Sequence, residues 1–112
     1  MKLKYPAIFY PWDEGGGYTV EVPDLPGCVT EGDDLDGAIL MGVDAASGWV
    51  LTELQEGRPA PTASELGAIC PEAGGFVRRL SLDIAAYAES ASRQSSEVKP
   101  SLKLAAPRPA AN

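Results

Sequence analysis

The stretch VEVPDLPGCVTEGDDLDGA, residues 20–38, decides the fold of this chain. Pro23 and Pro26 fix their own φ angles and restrict the residues before them, so the segment is a stiff corner rather than a flexible loop. Gly27 allows the turn to close, and the acidic cluster that follows predicts the start of a helix with Asp33 as its N-cap. The stretch is therefore either a rigid corner between strands and a helix, or a working site with a reactive thiol and carboxylates.

Two strands are predicted before the corner. Residues 4–12, KYPAIFYPW, read as a strand with apolar side chains on both faces, and residues 18–22, YTVEV, alternate with a period of two. The glycines of residues 13–17 suit the tight turn of a hairpin between them. Because Pro6 and Pro11 cannot donate ladder hydrogen bonds, we expect the first strand to lie at a sheet edge or to be kinked.

The remaining elements follow the corner. Residues 27–31 predict a short third strand, and a helix is expected over about 34–56, with Gly57 ending it. Residues 76–84 alternate as a fourth strand, and a second helix is expected from about Asp83. The first helix carries an apolar stripe at three- and four-residue spacing: Ile39, Val43, Ala46, Val50 and Leu54. The predicted fold class is α+β, a small antiparallel-rich sheet of three to four strands in the order β-β-β-α-β-α, with the main helix packed on one face.

Composition divides the chain into a domain over residues 1–91 and a tail over residues 92–112. The tail is rich in Ser, Ala, Pro and Lys with few large apolar residues, so we expect it to be disordered. No apolar run approaches the roughly 20 residues of a membrane helix, and the N-terminus lacks the apolar region of a signal peptide. We therefore expect a cytoplasmic protein without membrane contact.

Charge and residue usage exclude several kinds of chemistry. Residues 1–60 hold eleven acidic and three basic residues, a net charge of −8, whereas the rest carries +1. Such a domain favours a basic partner over nucleic acid, although plain solubility explains the charge equally well.

The chain has no histidine, so Ser-His-Asp and Cys-His nucleophilic sites are excluded. Cys28 and Cys70 cannot form a four-ligand zinc site, and both are expected to be buried as small apolar residues. No cofactor, metal or catalytic residue is predicted.

The order of these motifs resembles the HicB antitoxin family. YPAIFYP opens the resemblance, GGGYTVEVPDLPGCVTEGDDLDGA is its centre, and the helix with EGRPAP closes it. The match runs from about Tyr5 to Pro61 and then loosely to Tyr87. The glycine-rich helix departs from the glutamate- and alanine-rich helix that is usual in that family, which puts the stability of this helix in question.

The resemblance implies an antitoxin that binds and blocks a small basic toxin of the HicA type. Such toxins have a double-stranded-RNA-binding-like fold and cleave mRNA. Many members also carry a C-terminal ribbon-helix-helix or helix-turn-helix that binds the promoter of their own operon. Neither pattern follows residue 91 here. DNA binding therefore has no support beyond weak non-specific contact through the lysines and arginines of the tail.

Six residues of the hairpin, the corner and the acidic cluster are predicted to contact a partner, since aromatic side chains are enriched at interface centres and acidic ones suit a basic toxin. They are Tyr10, Trp12, Asp24, Leu25, Glu31 and Asp33. The apolar residues on both faces of the first strand also favour a homo-oligomer or a partner that pairs with a sheet edge.

Two other functions stay open. The chain could be a stand-alone oligomeric module without a toxin, since a DNA-binding segment is missing. It could also be a metal-dependent nuclease built on the acidic cluster, but hydrolysis would need carboxylates that converge from separate elements onto one pocket. The acidic residues lie mostly on one short stretch, where two of them serve the helix start.

Overall fold

A computed structural model describes residues 1–98 of the chain, which form one antiparallel sheet and two helices. The strands lie in the order β3-β2-β1-β4, and every neighbouring pair is antiparallel. The elements are β1 (Lys2–Pro11), β2 (Tyr18–Glu21), β3 (Val29–Gly32), α1 (Leu35–Gln55), β4 (Phe76–Asp83) and α2 (Ile84–Val98). The predicted α+β class and element order are confirmed, with α1 packed on one face of the sheet.

The first strand is central, so the edge position predicted from its prolines is wrong. β1 pairs with β2 through Ile8–Pro11 and with β4 through Lys2–Phe9. Pro6 lies beyond the ladder with β2, and Pro11 is the last residue of the strand. Neither proline therefore interrupts β1 in the middle of a stretch that is paired on both sides.

The hairpin between β1 and β2 closes as the sequence predicts. The backbone N–H of Trp12 donates to the carbonyl oxygen of Gly17 over 2.8 Å. Gly15 and Gly16 have φ angles of 91° and 76°, a region that side chains with a Cβ rarely adopt. The turn thus depends on these two glycines.

Helix α1 begins one residue later than predicted, because its N-cap is Asp34 and not Asp33. The backbone of Asp34 is extended, and its Oδ1 accepts a 2.7 Å hydrogen bond from the backbone N–H of Gly37. Asp33 is exposed outside the helix. At the other end, Gly57 has a φ of 81° and ends the helix as predicted.

Small residues form the part of α1 that faces the sheet. A Cβ on Gly42 would lie 3.0 Å from Leu80 Cδ1 and 3.4 Å from Val20 Cγ1, so this glycine lets the helix approach the strands closely. The predicted stripe is right at two positions, and its other members flank the buried centre. That centre consists of Ala38, Gly42, Ala46, Ser47 and Val50.

The end of the connection, residues 58–75, packs on part of the sheet face opposite α1. Gly75 lies against the side chains of Ile8 and Tyr10, and Ile8 is buried. The backbone N–H of Glu72 donates to the hydroxyl of Tyr10 over 3.2 Å. On this face of β1 the connection therefore covers Ile8 and part of Tyr10, whereas Lys4 stays exposed.

Helix α2 follows β4 without a loop. Asp83 Oδ1 accepts a 3.2 Å hydrogen bond from the backbone N–H of Ala86 in its first turn. Residues 92–98, which the composition places in the tail, belong to α2, while residues 99–112 lie outside the described residues. The division at residue 92 and the disorder of the tail stay predictions.

Neither helix in the described part of the chain has the length and apolar character needed to cross a membrane.

Candidate partner-binding surface

The corner, residues 22–28, is held by its own backbone. Leu25 N–H donates to the Val22 carbonyl over 3.0 Å, Cys28 N–H donates to the Leu25 carbonyl over 2.9 Å, and Val22 N–H donates to the Cys28 carbonyl over 3.0 Å. Trp49 of α1 adds a 3.0 Å hydrogen bond from its Nε1 to the corner. Leu25 is 0% exposed, so this predicted contact residue belongs to the core and offers no side-chain surface to a partner.

Asp24 fastens the corner to the connection. Its Oδ2 accepts from the backbone N–H of Ser64 over 2.8 Å, and its Oδ1 accepts from the Ser64 hydroxyl over 2.7 Å. Nearby, the Tyr5 hydroxyl donates to the carbonyl of Pro61 over 2.6 Å. Burial and the charge of Asp24 raise the pKa of Tyr5. Asp24 is therefore half-buried and engaged by two donors, rather than an exposed carboxylate as predicted.

The two cysteines have different environments. Cys28 is buried as predicted, and burial raises the pKa of its thiol, which disfavours the reactive thiolate. Cys70 is exposed in the connection, so the prediction that it is buried is wrong. The corner thus holds its cysteine as a core side chain.

Tyr10 and Trp12 lie at the hairpin end of the sheet, and both are half-buried. The Tyr10 hydroxyl accepts the hydrogen bond from the connection already described. Trp12 Nε1 donates to Thr19 Oγ1 over 3.1 Å, and its ring lies against Gly17. Each aromatic side chain is thus fixed by a polar partner while part of its surface stays accessible.

A groove lies where β3 meets the start of α1, and we call it the acidic groove. Glu31 and Asp33 are exposed along it. Its volume is about 580 Å³. No lysine or arginine is among its lining residues in the described part of the chain. These are Glu31, Gly32, Asp33, Asp34, Gly37, Leu40 and Met41.

Sequence reasoning missed two apolar residues of the acidic groove. Leu40 is 70% exposed and Met41 is 46% exposed. At 100° per residue, Leu40 points away from Ala38 and Gly42, which face the sheet. The available signal was an apolar pair outside the buried stripe of the helix.

The carboxylates of residues 24–36 do not share one task. Asp24 binds Ser64 and Asp34 caps α1, whereas Glu31 and Asp33 face solvent. Among the described residues, no group of three or more Cys, Asp or Glu side chains is arranged to hold a metal ion. The nuclease hypothesis stays a prediction, without a structural observation in its favour.

The fold and the corner motif place the chain in a family. The family model of the HicB-like antitoxin of bacterial toxin–antitoxin systems matches residues 5–98. The chain therefore belongs to the HicB-like antitoxin family. No curated protein matches the chain.

Solved structures of similar fold include antitoxins. A toxin–antitoxin complex from Streptococcus pneumoniae has a TM-score of 0.70 at 20% identity, covering 88% of this chain and 89% of that chain, which shows a shared fold. The N-terminal domain of the Burkholderia pseudomallei antitoxin HicB has a TM-score of 0.61 at 29% identity, covering 72% and 99%. The B. pseudomallei antitoxin HicB has a TM-score of 0.64 at 25% identity, covering 87% and 85%.

Proposed function

We propose that this chain is a non-enzymatic antitoxin that neutralises a small, basic, mRNA-cleaving toxin of the HicA type. Membership of the HicB-like antitoxin family supports this role. So does the fold shared with the antitoxin-containing complex described above. The site of action is then the cytoplasm, where mRNA is translated.

The acidic groove is the observation that carries the proposal. Glu31 and Asp33 supply exposed negative charge in the groove. Leu40 and Met41 of α1 supply apolar contact area beside it. Complementary charge steers association and fixes the orientation of partners, while desolvated apolar anchors supply most of the affinity. A basic toxin surface with one apolar projection fits this arrangement.

Neutralisation would be steric and electrostatic. A toxin seated on the acidic groove buries the cations with which it binds RNA, so that substrate is excluded without any reaction on the antitoxin. Tyr10 and Trp12 lie at the hairpin end of the sheet and form a second candidate contact area. Leu25 supports the corner from within, and Asp24 keeps the connection in place.

Co-expression with the small gene next to this one tests the proposal. The neighbour should arrest growth when expressed alone, and co-expression of this chain should restore growth and yield a stable complex. The double change Glu31→Lys and Asp33→Lys should weaken the complex by at least tenfold, because it reverses the charge of the groove. A neighbour that is neither toxic nor bound would end the proposal.

A matched control separates the groove from the total charge of the chain. Glu65 and Glu72 are exposed in the connection, so the double change Glu65→Lys and Glu72→Lys alters the net charge equally. It should leave the affinity within about twofold, since distant exposed charges are screened by salt. Equal loss in both double variants would show that net charge, and not the groove, attracts the toxin.

One observation favours a second candidate, an oligomeric module. β3 is an edge strand of the sheet, and Val29 on it is 57% exposed. An unpaired edge with an exposed apolar residue is a template for pairing with another strand. Light scattering on the purified chain tests this proposal: Val29→Lys should reduce the mass to that of a monomer, and a monomeric unaltered chain would contradict it.

A further inference from the structure

A cleft of about 420 Å³ lies between α1, β4 and α2, and shares no residue with the acidic groove. This volume is within the range of pockets that hold small ligands. The side chains that give it chemical character are polar or acidic. They are Asp44, Ser47, Ser81, Asp83, Tyr87 and Ser90.

Ser47 is the residue that marks the cleft as a site. It is 1% exposed and is the one buried polar residue of the described core. A serine or threonine inside a helix commonly donates to the carbonyl four residues earlier, as Thr52 does to Gly48 over 2.9 Å. The structure gives Ser47 no such bond within the described residues, and a buried hydroxyl without a partner is costly. Its position in the cleft wall lets a ligand satisfy it.

The charge of the cleft selects the kind of ligand. Asp44 on α1 and Asp83 at the end of β4 both line the cleft, and both are exposed. No lysine or arginine of residues 1–91 lines it. Burial and the charge of Asp44 raise the pKa of Tyr87, in accord with a negative potential there. Of the two carboxylates, Asp83 accepts the bond from Ala86 through its Oδ1, whereas Asp44 accepts no hydrogen bond from residues 1–91.

We propose that this cleft binds an organic cation, with an alkylammonium or guanidinium group between Asp44 and Asp83 that donates to the Ser47 hydroxyl. The donors of such a group match the acceptors that line the walls. The cation could be a free polyamine or a lysine or arginine side chain of another protein. Both sources present the same chemistry to the cleft.

Amide chemical shifts of the full chain test the proposal. Titration with butylammonium chloride should give saturable shifts at Asp44, Ser47 and Tyr87, whereas 1-butanol of the same length should give none. A response to 1-butanol equal to that of the amine would show an apolar crevice and overturn the assignment, as would the absence of saturable shifts with the amine.

Two further arms identify the source of the cation. Spermidine that binds more tightly than N-acetyl-lysine methylamide indicates a free polyamine, and the reverse order indicates a protein side chain. If neither saturates the cleft, the proposal is wrong. These titrations contain no toxin, so their failure leaves the antitoxin proposal untouched.

Substitutions assign the binding to named groups. Asp44→Asn should weaken butylammonium binding by about tenfold, since it removes a charge-assisted hydrogen bond. Asp36→Asn changes the same charge on α1 outside the cleft and should leave the affinity unchanged. Ser47→Ala should weaken binding by a smaller factor, because a neutral acceptor is lost. Unchanged affinity in both cleft variants would overturn the proposal.

Discussion

The corner and the acidic groove are neighbours in sequence and similar in composition, yet their carboxylates have opposite environments. Asp24 in the corner is half-buried and accepts two hydrogen bonds from Ser64, forty residues later in the chain. Asp33 in the groove is exposed, and no described residue bonds to its side chain. The difference is set by the connection, which packs against one region and leaves the other open. A carboxylate is thus structural or available according to what a distant segment covers.

The largest effect is expected from the leucines of the two regions. Leu25→Ala should lower the free energy of unfolding by about 2–5 kcal/mol, because it leaves a cavity at a fully buried site. Urea unfolding followed by tryptophan fluorescence measures this loss. The matched change in the acidic groove, Leu40→Ala, should stay within about 0.5 kcal/mol of the unaltered chain. Equal losses would show that Leu40 is covered in solution.

The aspartates should separate stability from binding. Asp24→Ala should cost about 1–3 kcal/mol, since two donors of Ser64 lose their partner. Asp33→Ala should leave the free energy of unfolding nearly unchanged and weaken a toxin complex instead. Urea unfolding and a toxin-binding titration on both variants measure the two effects. A destabilised Asp33→Ala protein would mean that the groove also supports the fold.

Asp34 lines the acidic groove and also stabilises the fold, because it is the N-cap of α1. Asp34→Ala should lower the free energy of unfolding by about 1 kcal/mol, because the Gly37 N–H loses its acceptor. Asp34→Ser should recover most of that loss, since a hydroxyl can also cap the helix. Thermal unfolding followed by circular dichroism gives the comparison. No loss in the alanine variant would place the cap at Asp33, as the sequence alone predicts.

The corner, the hairpin and β2 could be predicted from the sequence, because each depends on residues close together in the chain. The prolines and Gly27 of the corner, the glycines of the hairpin and the alternation of β2 act through φ angles and a period of two, which are properties of short segments. The central position of β1 is different, because it depends on pairing with β4, about seventy residues away. Two prolines in a strand argue for an edge only when the extent of each ladder is unknown.

The sequence predicts the exposure of a candidate site residue only where its sequence neighbours determine that exposure. Glu31 is exposed as predicted, because it lies on the short edge strand β3. Asp33, which the sequence predicts as the N-cap, is exposed as well because Asp34 takes that role. The sequence places Leu25 and Asp24 on the same surface, because nothing in the corner itself shows that Leu25 is buried in the core or that Asp24 bonds to Ser64. The sequence does not reveal the exposure of Leu40, because an apolar residue next to the buried stripe of a helix is normally expected to be partly buried.

The smallest effect concerns Glu53, a carboxylate that is held by a partner at the surface. Hydrogen bonds from Arg58, 2.7 Å from its Nε to Glu53 Oε1, lower the pKa of Glu53. Arg58→Gln should return this pKa toward the ordinary value, as a carboxyl-detected NMR titration would show. Arg78→Gln, at an exposed arginine of β4, is the matched control and should change nothing.

The pH dependence of this pair follows from the direction of the shift. Because the folded-state pKa of Glu53 is lowered, its contribution is complete above the ordinary glutamate pKa and is lost as the pH falls through the lowered value. The difference in urea midpoint between the unaltered chain and Arg58→Gln should therefore be small at neutral pH and shrink further in acid. A difference that grows in acid would contradict the ion pair. It would also show that holding a carboxylate at the surface, unlike holding Asp24 in the corner, does not stabilise this fold.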